Sequence, residues 1–314
     1  MANEAAEPVY GRLHDLAFEL VREVSALNAS LRPRVCEAFS DVIRAVNARY
    51  SASIDGDGIE TSVHAQVEKR IDTGSAVAGH PASTAFLRQI YRDLYGFDGL
   101  VAELARFEEI YTSVPGSFRQ VLAVPASYHR LLQIRPFAHG NGPVARLMAR
   151  AELVRLRIAG VWSLARALAR ELPRYQELVA APADSDDSGI FGNQALMEFC
   201  RFFLARAVEE AKWMRHLLDP AALLPRVKLF CEEERDAARL PEGCYAVLRE
   251  MILRGELPRA DVESIVPFRE RKARQISSSL RDRGLLVSGG VRAALVPAFP
   301  EEIVERWFPG LSRE

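Results

Sequence analysis

Residues 134–150 read Ile134-Arg135-Pro136-Phe137-Ala138-His139-Gly140-Asn141-Gly142-Pro143-Val144-Ala145-Arg146-Leu147-Met148-Ala149-Arg150, and this stretch decides the fold. Pro136 disfavours helix at Arg135 and predicts an extended backbone there. Gly140, Asn141 and Gly142 tolerate positive φ, so the chain can turn sharply and leave N–H groups pointing outward. Pro143 suits the first position of a helix, where its missing N–H is not needed. Val144, Leu147, Met148, Ala151 and Ile158 recur at helical spacing, which predicts a helix with one face in a core. A glycine turn feeding a helix N-terminus suits an anion, because free N–H groups and the helix dipole point at it. Arg135 and Arg146 flank the turn and add positive charge.

The stretch resembles the signature of the Fic (Fido) family, whose members transfer AMP from ATP to protein hydroxyls. That signature runs His-x-Phe-x-x-Gly-Asn-Gly-Arg-x-x-Arg. Phe137, Gly140, Asn141, Gly142 and Arg146 match it, and the resemblance implies that these residues hold ATP or another nucleotide. The flanking Ala126-Ser127-Tyr128-His129-Arg130-Leu131-Leu132 is similar too. Three positions depart from the pattern: Arg135 stands at the catalytic histidine, Pro143 at the first arginine, and His139 where an acidic residue often helps bind a metal. An arginine is protonated at any working pH, so Arg135 cannot act as general base, although its planar fork can still grip phosphate. General base catalysis is worth ~10²–10⁴-fold. Imidazole is a poor ligand for Mg²⁺, so His139 argues against that ion. The implied function is a nucleotide- or phosphate-binding regulator with impaired or absent AMP transfer. The alternative is an active nucleotidyltransferase or nucleotide hydrolase with altered chemistry, in which His139 supplies the base.

The 314 residues carry a net charge of −1 and are 49% hydrophobic, enough for a sizeable core and two domains, with no global bias towards nucleic acid. Cys36, Cys200, Cys231 and Cys244 are widely spaced and form no Cys-x-x-Cys pair, as expected of reduced thiols in a cytoplasmic protein. The sequence shows no signal peptide and no apolar run long enough for a bilayer.

Residues 8–50 predict two helices separated near Arg32-Pro33. Ser51-Ala52-Ser53-Ile54-Asp55-Gly56 follows. It resembles the inhibitory motif Ser/Thr-x-x-x-Glu-Gly/Asn of many Fic proteins, with Ser51, Asp55 and Gly56 at its positions. The resemblance implies that Asp55 pairs with Arg146, although its side chain is one methylene shorter and needs a closer backbone. The other reading is a helix-terminal turn built on Asp and Gly. Helices are predicted at 59–72, 84–95, Leu100–Tyr111 and 120–133, with a loop at 73–83. Similar Fic proteins carry a β-hairpin flap after the helix ending at Tyr95. Only Gly96-Phe97-Asp98-Gly99 stands there, too short for a strand pair, so either the flap is deleted or Ser113-Val114-Pro115-Gly116-Ser117-Phe118-Arg119 replaces part of it. His129 and Trp162 read as core residues. Residues 182–193 read as a polar loop; their Asp-Ser-Asp-Asp run lacks the spacing of a calcium loop. Long helices follow at 194–218 and 221–236.

Beyond residue 240 a helix around Tyr245–Leu253 precedes a second that starts at Leu257 and ends by Pro267. A third, 269–283, carries Arg269, Arg271, Lys272, Arg274, Arg281 and Arg283 against Glu270 and Asp282, a local charge of 6 − 2 = +4, and stops at Gly284. Gly289-Gly290 between Leu285–Ser288 and Arg292–Val296 signals a hairpin. This order resembles a winged helix-turn-helix domain, in which the third helix enters the major groove of double-stranded DNA. Arg269, Arg271, Lys272 and Arg274 would meet phosphates, and Gln275 and Ser278 bases. The other reading is a domain used for packing or for a homodimer, with a solvated basic face. A protein partner without DNA is the blandest reading. The expected fold class is mainly α: N-terminal helices with the inhibitory-like motif (1–72), a Fic-type helical core (73–236) and a winged-helix domain (237–314).

Overall fold

The computed structural model describes residues 7–56, 58–75, 79–181, 194–290 and 293–312, with side chains from residue 11 onward. The polar loop expected at 182–193 lies outside the described residues. The chain is mainly helical, and its described strands are confined to the C-terminal part. It divides into two compact units, one holding residues up to Ser25 together with Arg44–Lys212, the other Ala26–Ile43 together with Trp213–Glu314. These units cut across the three segments drawn from the sequence. The long helices α1 (Glu7–Ser30), α2 (Pro33–Asp55) and α10 (Gln194–Leu218) each run through both units. Among the described residues no helix is long and apolar enough to cross a membrane.

The first unit is built around α7 (Asn141–Arg155), which packs against α3 (Thr61–Asp72), α4 (Thr84–Tyr95), α6 (Ser117–Ile134) and α8 (Leu164–Ala169). The sequence predicts one buried face for α7. Instead Pro143–Leu153 is buried on every side. Ala145, Ala149 and Ala151 let neighbouring backbones approach, while Arg146, Arg150 and Glu152 find partners inside the unit.

Two expectations about the path of the chain are corrected. Arg135 is not extended but left-handed, with φ 50° and ψ 59°, and its N–H closes α6 on Leu131 O at 3.0 Å. That conformation costs a non-glycine residue ~1–2 kcal/mol. It reverses the chain directly into Pro136 and Phe137, which are buried. The helix expected from Leu100 begins only at Ala105 (α5, Ala105–Thr112). Leu100 instead forms an isolated antiparallel bridge with Phe137, and Val101 N–H donates to Pro136 O at 2.8 Å. The pull towards helix loses because this segment satisfies the backbone beside the turn.

In the second unit, α11 (Pro220–Asp236), α12 (Cys244–Arg254), α13 (Asp261–Ile265) and α14 (Glu270–Asp282) precede β1 (Leu286–Val287), β2 (Val296–Pro297) and α15 (Glu301–Trp307). β1 and β2 pair antiparallel, Leu286 opposite Pro297 and Val287 opposite Val296. Leu257 was expected to begin a helix, yet it exchanges two 2.9 Å hydrogen bonds with Leu295, and the helix starts at Asp261. Gly284 ends α14 at φ +65°, as a left-handed stop requires. Glu234, 1% exposed, receives Arg239 at 2.7 Å and Arg306 at 2.8 Å. Those hydrogen bonds, Arg239 foremost, hold its carboxyl down to about 2. Phe39, Phe299, Trp307 and Phe308 meet edge-on in the same unit's core.

Candidate functional site

The turn between α6 and α7 is tied by one side chain. Asn141 accepts from Phe137 N–H at 3.0 Å and donates to Phe137 O at 2.8 Å, so both backbone groups of Phe137 are satisfied by the first residue of α7. Phe137 itself lies behind the turn, stacked on Tyr91 with ring centroids 4.3 Å apart. Of the three residues expected at positive φ, only Gly140 has it, at +71°. It caps α7, so Pro143 falls at the third helical position rather than the first.

The two glycines serve close approach. A Cβ on Gly140 would overlap the Tyr95 ring and hydroxyl, and one on Gly142 would overlap the Asp55 carboxylate. Gly140→Ala therefore adds left-handed strain of ~1 kcal/mol to the displacement of Tyr95. We expect a clearly lowered melting temperature; an unchanged melt would show that Tyr95 moves aside freely.

A cleft of about 630 Å³ opens over this turn, lined among others by Asp55, Arg135, His139, Gly140, Gly142 and Tyr175. Arg135 is exposed at the cleft, and among the described residues its guanidinium makes no ion pair. His139 is also exposed, but it is not loose: Nε2 lies 3.1 Å from the Tyr91 hydroxyl, and the ring stands edge-on to Tyr95 at 4.7 Å. That contact occupies one imidazole nitrogen, Nε2.

Arg146 is buried, with only 4% of its side chain exposed. It ion-pairs with Asp55 through Nη2, donates from Nε to Ser51 Oγ at 2.8 Å, and donates from Nη2 to Ser51 O at 3.2 Å. Burial pulls its pKa down, but Asp55, Tyr128 and Tyr175 outweigh that and the net direction is up. The tyrosine pair shares a 2.8 Å hydroxyl–hydroxyl hydrogen bond, and burial raises both phenols. Asp55 is the last residue of α2 and Gly56 continues at φ +63°. The motif is thus both a helix-terminal turn and the partner of Arg146. The bare Cα of Gly142 supplies the closer backbone that the short carboxylate needs.

A buried polar network lies beside this Arg146–Asp55–Ser51 clasp, and the sequence points to none of its carboxylates. Arg150 Nε meets Asp72 Oδ1 at 2.9 Å and Glu68 Oε1 at 3.5 Å. Arg44 meets the other Asp72 oxygen at 2.9 Å, and Asn47 donates to Glu68 at 2.6 Å. Ser163 donates to Asn47 Oδ1 at 2.6 Å. Two arginines four residues apart on a buried helix imply that carboxylates must come from elsewhere, but not which ones. His129 is buried with Nε2 3.3 Å from Leu178 O, and burial lowers its pKa. Trp162 is core, its indole N–H donating to Ile158 O at 3.2 Å. The four cysteines are free, and no group of three or more metal-ligating side chains occurs among the described residues.

In the second unit, α14 buries Ala273, Ile276 and Leu280 and borders a groove of about 890 Å³. Arg271, Arg274, Gln275 and Ser278 line it together with Arg259 and Arg281, and Glu263 and Glu270 dilute its charge. Arg269 and Lys272 do not line it. Lys272 lies over the Phe268 ring at 3.6 Å and beside Glu242 at 3.6 Å.

No protein-family model matches the chain, and no curated protein matches it.

Proposed function

We propose that the chain is a Fic-like regulator that holds a phosphate-bearing ligand, a nucleotide first of all, over the glycine turn without transferring AMP. A single observation carries the reading. The cation at the family's second arginine position, Arg146, is already taken by an internal carboxylate, Asp55, at the wall of a cleft that also presents Arg135 and a helix N-terminus. A site of this kind binds anions by competition: phosphate oxygens reach Arg146 only as Asp55 gives way. The cleft-facing group at position 135 is a cation, which suits binding and not proton removal. Arg135 and His139 then serve the ligand; Ser51, Asp55 and Gly56 restrain it. The second part of the proposal is that α14 docks in the major groove of double-stranded DNA. Arg271 and Arg274 would contact phosphates while Gln275 and Ser278 face base edges. The helix–turn–helix order with a following hairpin supports that part.

Calorimetric titration with ATP, ADP and pyrophosphate tests the first part. Binding is expected, and Arg135→Ala weakens it ~10-fold or more, the worth of one charge-assisted hydrogen bond. Absence of binding in both the parent and Asp55→Ala would overturn it. For the second part, duplex binding that weakens with salt is expected. Arg271→Ala with Arg274→Ala lowers the slope of log K against log salt by about 2. A protein that ignores duplex DNA at low salt loses this half of the proposal. Incubation with labelled ATP separates the enzymatic alternative, since label transfer abolished by His139→Ala would favour it.

A further inference from the structure

Arg146 offers three guanidinium nitrogens, and the clasp uses two. The third, Nη1, is buried and has no hydrogen-bond partner. Close by, His64 on α3 is 4% exposed, and both of its ring nitrogens are buried without a partner. Both residues line one internal cavity of about 20 Å³, whose other polar walls are Asn47, Glu68 and Arg150. The remaining walls, Leu147, Leu153, Trp162, Leu164 and Ala165, are apolar, so the three unpaired nitrogens on two of the lining residues each carry an uncompensated desolvation cost. The volume decides what can repair them: a water needs roughly 10–15 Å³ and two to four polar partners, so this cavity takes one water and nothing larger.

The protonation states fit. Burial first, and the Arg146 charge second, push the His64 pKa down to about 3, so its imidazole is neutral and keeps one lone-pair nitrogen. A donor that is always charged therefore faces an acceptor that is always neutral across the physiological range. We propose that a single ordered water sits here, accepting from Arg146 Nη1–H and donating to the bare nitrogen of His64, which makes His64 a positioning residue for Arg146. The water pins the guanidinium on the side that Asp55 and Ser51 leave free, so the clasp is held from two directions. This holds whatever the cleft binds.

Nuclear magnetic resonance of the full chain with labelled arginine and histidine tests it. The expected result is a cross-peak from a long-lived water to the Arg146 Nη1 protons, with His64 neutral and in one tautomer at pH 7. His64→Leu should remove the cross-peak and speed exchange of the Arg146 Nη protons, whereas His64→Gln, which keeps an acceptor, should retain the cross-peak and the slow exchange. A folded parent with no water signal at Arg146 overturns the site. Unchanged Arg146 exchange in His64→Leu overturns the positioning role. If that variant does not fold, a crystal structure of the parent decides. Density for one water roughly 2.7–3.2 Å from Arg146 Nη1 and from an imidazole nitrogen supports the site, and a dry cavity sinks it.

Discussion

Asp55→Ala is expected to cost the protein about 3 kcal/mol of unfolding free energy, and a phosphate-bearing ligand is expected to return much of it. Breaking a buried pair from one side is expensive, ~3–5 kcal/mol, because the surviving charge stays buried without compensation. Here the survivor is Arg146, 4% exposed, left without a carboxylate and with the Ser51 hydroxyl and carbonyl as acceptors. Asp55 itself is 28% exposed, so solvent screens part of the attraction and places the loss at the lower end of that range. Asp55→Asn keeps an acceptor and loses the charge, and should fall between the parent and the alanine variant. Denaturant titration measures all three. A ligand that binds only the folded state adds ~2.7 kcal/mol at one hundred times its Kd. Pyrophosphate or ATP should thus stabilise Asp55→Ala more than the parent. Equal stabilisation of both would show that the carboxylate and the ligand do not compete for Arg146.

Arg150→Met should be the most damaging change in the network, and its damage should depend on pH. The variant leaves Glu68, 1% exposed, with the Asn47 amide and the pull of Arg44, and leaves Asp72 to Arg44. A loss of ~3–5 kcal/mol at pH 8 is expected. Burial pushes the Glu68 carboxyl up to about 7, against the pull of Arg150, Asn47 and Arg44, with Asp72 pushing the same way as burial. The folded protein then holds a proton that the unfolded chain releases near 4.5. This group's contribution is therefore full below that value and declines as pH rises through about 7. Removing Arg150 takes away the strongest opposing charge and tightens the proton further. The loss should be smaller at pH 5.5 than at pH 8, since a protonated Glu68 does not miss its cation. Urea unfolding at the two pH values measures this; the same loss at both would mean that Glu68 does not titrate in this range.

Much of the architecture is legible in short windows of sequence. α4 spans the predicted 84–95 and α10 the predicted 194–218, and the helix break falls at Arg32-Pro33. The misreadings share one cause. Pro136 argues for an extended Arg135, and the periodicity after Leu100 argues for helix, yet both segments meet in the Leu100–Phe137 bridge, where long-range backbone pairing overrides local preference. Leu257 is the same case, claimed by Leu295. In α7 the apolar stripe marks one face, whereas its polar residues are buried too because partners arrive from other helices.

The candidate site divides along the same line. Sequence alone pointed to a glycine turn feeding a helix, arginines on either side and a basic third helix near the C-terminus, because each depends on backbone freedom, spacing or charge within a few residues; the turn itself narrows to Gly140, with Asn141 and Gly142 already in α7. The motif resemblance implied the Asp55–Arg146 pair; only the tertiary structure decided that the carboxylate would pass the bare Cα of Gly142 to reach it, that His139 would lean on Tyr91, and that His64 would line the same cavity as Arg146. Propensity acts between neighbours in sequence; charge pairing, desolvation and close approach act between neighbours in space, and those are chosen by the fold.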